Sequence, residues 1–146
     1  MRVFTSPYLY IHHEPLLHSV ELEWRGRTQG NEVRVGVQKG LQVAQQQQAR
    51  AWIANMMHMH VICPEDEEWL KTEWLYQLRP LGIEFLAIVV SNDALTRLST
   101  YNIMSGSEQN GYAPLETVYF SSAQDAREWV RQACQASSLP CVERRY

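Results

Sequence analysis

The sequence predicts an α/β fold: a mixed sheet of four to five strands with an N-terminal β-hairpin and helices packed on it. Three observations carry this expectation. Residues 8–24 hold two strand-like runs separated by His13-Glu14-Pro15. After them, stretches of helical periodicity alternate with short apolar runs at residues 50–55 and 85–90. Strand, helix, strand in that order is the βαβ unit of a parallel sheet, which needs a right-handed crossover. The 146 residues suit one domain, with a core over residues 8–135 and a loose tail over 136–146.

The elements follow in order. Tyr8-Leu9-Tyr10-Ile11-His12 is rich in aromatic and β-branched residues, as a short strand should be. Residues 16–24 then alternate. Val20, Leu22 and Trp24 point one way; Glu21, Glu23 and Arg25 point the other, a period-two pattern that predicts a polar face in water. Thr28 is the expected cap of the first helix. Val33, Val37, Leu41 and Ala44 form its apolar stripe, and Gly36 and Gly40, one turn apart, point to close packing on the sheet.

Residues 50–55 are apolar on both faces, as a buried parallel strand requires. A Met- and His-rich loop is expected over residues 56–63. Pro64 then opens a helix whose first turn holds Glu65, Asp66, Glu67 and Glu68, suited to the positive end of the helix dipole. Its expected core stripe is Leu70, Trp74, Leu78 and Leu81, ended by Pro80 and Gly82. A strand over 85–90 leads to Asn92 or Asp93 as cap of a helix through Leu95, Leu98 and Tyr101. A polar loop over 105–114 and a last strand over 117–120 follow. Ser122, with Asp125 three residues on, resembles a capping box, and Ala126, Trp129, Val130 and Ala133 make the final helix amphipathic.

Composition narrows the function classes. The hydrophobic fraction is 45%, the charged fraction 20% and the net charge −3, as in an ordinary globular protein. Nucleic acid and anionic membranes call for a basic surface, and the one basic cluster is Arg144-Arg145. No run approaches the roughly 20 apolar residues of a membrane span. Three cysteines, Cys63, Cys134 and Cys141, make no disulfide framework. The first residues lack a signal peptide's apolar stretch, so a cytoplasmic location is the expectation.

Four candidate sites stand beside plainer readings. His58, His60 and Cys63 are metal-ligand types, but a second ligand pair is missing, so a surface loop without metal is expected. Cys63, just before a helix, could be an activated thiol; the neighbouring acids oppose that, and a small packed residue is the plainer reading. The acids Glu65 to Glu68 with Glu73 could serve acid–base chemistry, although a solvated first turn explains them. Trp69, Glu73 and Tyr76 mark a second helix face beside the filled stripe, a candidate interaction face since aromatics anchor interfaces.

The stretches VICPEDEEWLKTEW over residues 61–74 and LSTYNIMS over residues 98–105 carry a resemblance. The chain resembles an uncharacterised bacterial group of STAS-like or SpoIIAA-like domains, common in Bacteroidetes. The resemblance implies a STAS-type α/β fold that mostly binds proteins and in some members small ligands. Regulators of this fold carry a phosphorylated Ser after a central strand; residues 55–63 here contain no Ser or Thr. Group members often carry an acid where this chain has Asn55.

The expected function is a non-enzymatic STAS-like interaction or regulatory module with no cofactor and an unnamed partner. The alternative is a small-molecule or lipid-binding domain with a CRAL-TRIO-like pocket. An enzyme built on Cys63 with His58 or His60 ranks third. A homodimer is expected through the residue 64–81 helix or its flanking loop, with the hairpin edge as rival. Asn55, His58, His60 and Cys63 make the candidate functional loop.

Overall fold

The computed structural model describes residues 1–105 and 115–137. Most of the loop expected over 105–114, most of the tail expected over 136–146, Cys141 and Arg144-Arg145 lie outside the described residues. Six strands run in sheet order β1 to β6: β1 Arg2–Thr5, β2 Leu9–Glu14, β3 Ser19–Gly26, β4 Ala51–Met59, β5 Phe85–Val89 and β6 Glu116–Phe120. The first three pair antiparallel and the last three join in parallel. The helices are α1 Asn31–Gln46, α3 Ala94–Ser105 and α4 Ala123–Ser137. Between them, α2 begins as Pro64–Trp69, passes through a π-helical stretch at Leu70–Trp74 and finishes as Leu75–Leu78.

Most expected elements are present, with five corrections. The sheet has one strand more than the four to five expected. Val3, Phe4 and Thr5 are β-formers, and the Ser6 hydroxyl holds the turn by accepting from the Leu9 amide, so β1 folds back onto β2. Pro15–Leu17 is a 3₁₀ turn, which delays β3 to Ser19. The cap of α1 is Gly30 rather than Thr28, whose hydroxyl donates to the Arg25 carbonyl instead. Helix α2 stops at Leu78 rather than Leu81; Gly82, at φ +100°, lets the Ile83 amide reach back to the Leu78 carbonyl at 3.0 Å. Finally, β4 continues to Met59 across residues expected to be loop, because β3 stays paired beside it as far as Gly26.

The two faces of the sheet are covered unequally. Residues of α1, α2 and α3 share one apolar core with β2, β3 and alternate residues of β4 and β5. Trp52 meets Trp74 there edge-on, with ring centroids 5.8 Å apart. The π-helical stretch lets Leu70, Trp74, Leu75 and Leu78 all turn inward. On the other face α4 is the helix that packs among the described residues, through Ala126, Val130 and Cys134 against Ala51, Ile53, Ala87 and Val89. Trp129 sits between Phe85 and Phe120 at the border of this second core. β4 is therefore apolar on both sides, as its sequence predicts.

Helix α1 lies very close to the sheet. A Cβ on Gly40 would come within 2.9 Å of Leu22 and Trp52, and one on Gly36 within 2.7 Å of Leu9 and Trp24. Gly40→Ala would gain about 1 kcal/mol of helix propensity and lose about 1–3 kcal/mol to overpacking. The expected outcome is a net loss of stability in urea denaturation; a stabilised variant would show that α1 has room to lift.

Candidate functional site

Where α4 ends its cover, the second face of the sheet carries a polar network. Alternation along β3 places Ser19, Glu21, Glu23 and Arg25 on this face, and β2 adds Tyr10, His12 and Glu14. Glu21 does not meet water as the alternating pattern predicts; it is 4% exposed. The cause is Arg127 of α4, whose Nε and a terminal nitrogen each donate to Glu21 at 2.8 Å. Asn55 on β4 adds a third donor at 3.1 Å. Such a two-pronged guanidinium clamp is the geometry that makes a buried carboxylate tolerable. The same bonds raise the Arg127 pKa further.

Next along the strand, Glu23 holds Arg25 at 2.8 Å and stands 3.1 Å from the His12 Nε2. The Arg25 guanidinium in turn lies 4.4 Å from the centre of the Tyr10 ring. Beside this network is a cleft of about 240 Å³, lined in part by Met1, Glu14, Leu17 and Ser19. At Met1 the ammonium donates to the His13 carbonyl and to Glu14.

The candidate loop residues separate. Asn55 and His58 lie on β4, not in a loop. Asn55 is buried against Glu21 and accepts from the Met57 amide. His58 and His60 are exposed. Cys63 caps α2 from a partly buried position, and its thiol donates to Asp66 at 3.1 Å. Burial, then the Asp66 hydrogen bond, pushes the Cys63 thiol pKa up, the opposite of an activated nucleophile. Asp66 is not part of a solvated turn: it is 1% exposed and accepts the Gly30 amide, so it ties the start of α1 to the start of α2. On α2, Glu73 is exposed, whereas Trp69 and Tyr76 are half-buried. Trp69 packs against the main core, with Arg34 over its ring.

A second surface was legible only as a helix. On α3, the buried side is Thr96, Thr100, Ile103 and Met104, which leaves Leu95, Leu98 and Tyr101 on the outer side. Leu95 is 73% exposed and Leu98 55%. Tyr101 continues this strip and meets Tyr119 of β6 edge-on at 5.0 Å. Beneath the helices, the main core leaves an apolar space of about 40 Å³ between Trp24, Met59, Trp74 and Ile103.

No protein-family model matches the chain, and no curated protein matches it. Among solved structures it is similar to an uncharacterised DUF3478-family protein with a SpoIIAA-like fold from Shewanella loihica PV-4. The TM-score is 0.50 at 11% identity, over 88% of this chain and 98% of that one. This chain has a SpoIIAA-like fold. The likeness agrees in fold with the resemblance drawn from residues 61–74 and 98–105. Among the described residues no helix is long and apolar enough to cross a membrane.

The Glu21–Arg127 pair makes a testable link between the sheet and α4. Arg127→Met should destabilise the protein by about 2 kcal/mol, because a charge-assisted pair is lost while Glu21 stays buried. Glu21→Gln in that background should restore part of the loss. Denaturation of the four proteins gives their coupling; a coupling near zero would mean that apolar packing alone seats α4.

Proposed function

We propose that the protein is a STAS-like interaction module, non-enzymatic, and that it self-associates through the outward strip of α3 and the edge of β6. The observation that carries this reading is the strip itself. Leu95, Leu98 and Tyr101 lie along one helix face, continued by Tyr119 on the neighbouring strand. Scattered surface leucines need no explanation, but an aligned apolar patch marks a contact. A second copy is the occupant the geometry favours. β6 ends the sheet and has no strand on its outer side among the described residues, and an unpaired edge invites another. Two such edges meeting about a two-fold axis would join two sheets and bring both α3 strips together.

The nearly filled core supports contact over ligand capture. About 40 Å³ is far below the roughly 300 Å³ at which small-molecule pockets begin. The strip on α3 is also more open than the α2 face of Trp69, Glu73 and Tyr76, where both aromatics are half-buried.

Leu95→Glu with Leu98→Glu should convert a dimer to a monomer in light scattering without loss of helix content. A wild-type monomer at tens of micromolar rejects self-association. A dimer untouched by these changes but broken by Trp69→Ala with Tyr76→Ala moves the interface to α2.

A further inference from the structure

The polar network beside α4 holds a grouping that the candidate ligands His58, His60 and Cys63 do not form. His12 from β2 and Glu21 and Glu23 from β3 each offer one ligand atom, and the three atoms lie within 4.8 Å of one another. Register explains the grouping. His12 stands directly opposite Glu21 in the antiparallel pair, and Glu23 is the next residue on the same face. We propose that His12, Glu21 and Glu23 form a three-ligand site for a divalent transition metal of the zinc class, open toward the cleft.

Four features support this. The first is distance. His12 Nε2 stands 3.1 Å from Glu23 Oε1, and two ligands of one tetrahedral zinc, at bonds of about 2.1 Å, sit about 3.4 Å apart. The ion would sit between these two atoms, with Glu21 as third ligand. The second is ligand type: one imidazole with two carboxylates suits zinc or its neighbours better than magnesium or calcium. The third is outer support. Arg127 and Asn55 hold Glu21, while Arg25 holds the other oxygen of Glu23. A carboxylate has about four lone-pair sites, so these partners can stay in place and fix the ligands' orientation. They also offset the two negative charges, which favours moderate affinity.

The fourth feature lies outside the ligand set. Ser19 is 2% exposed. It lines the same cleft as His12 and Glu21. Three protein ligands with a fourth position open is the arrangement that leaves a metal free to take a water or a small anionic group. Ser19 would bond to that fourth ligand.

The test uses tag-free full-length protein and zinc or cobalt(II) as probe. Titration calorimetry should show one zinc per chain with micromolar affinity. His12→Ala and Glu23→Gln should each weaken binding by more than about tenfold, with unchanged circular dichroism. His58→Ala with His60→Ala should leave binding intact. The cobalt(II) complex should show visible bands without the intense near-ultraviolet absorption of a thiolate ligand. Absence of saturable zinc binding would overturn the proposal. So would binding that survives both His12→Ala and Glu23→Gln, or a thiolate signature, which would move the metal to Cys63.

Discussion

The constraint behind this structure is that β4 must be buried on both faces while the sheet has unequal cover. Among the described residues, three helices close one face and a single helix closes the other. Over β4 and β5 that single helix suffices, because Ala51, Ile53, Ala87 and Val89 present a flat apolar floor to Ala126 and Val130. Over β2 and β3 it does not reach, and the residues there are polar. Glu21 falls at the boundary, under the edge of α4. Its burial is tolerable because Arg127 and Asn55 converge on it. The ordered polar network of the hairpin face follows from that position.

Much of the fold was legible in the sequence because its signals are local. The period-two pattern of residues 16–24, the apolar run at 51–55 and the acid-rich start after Pro64 each report one element's own environment. The four residues expected to line α1 are all buried, and the cap at Ser122 holds, with its hydroxyl accepting the Asp125 amide. What was not legible depends on partners far away in the chain. Glu21 reads as a wet residue because Arg127 lies 106 positions away. Asp66 reads as one acid among four because the Gly30 amide it accepts belongs to another helix. Met56 to Met59 read as loop because nothing local says that β3 continues beside them.

The candidate site was half visible. Asn55, His58, His60 and Cys63 were singled out for residue type and spacing, but their backbone separates them. His12 and Glu21 do face each other, and the signal that could have joined them was the hairpin register: a His on one strand with two Glu on the other. On α3, the apolar residues used to recognise the helix proved to be its outer side. A helix with Leu, Leu and Tyr on one face and Thr, Thr, Ile and Met on the other reads in sequence as amphipathic the wrong way round. Packing, not hydropathy alone, chose the inward face.

β4 and β5, closed on both faces, form the most protected part of the fold, while β1 and β6 are its edges among the described residues. Native-state amide hydrogen exchange tests this most directly. The account predicts that the amides of β4 and β5 exchange only through global unfolding, and that those of β1 and β6 exchange at lower free energy. Equal protection across all six strands, or faster exchange in β4 than in β1 and β6, would contradict it.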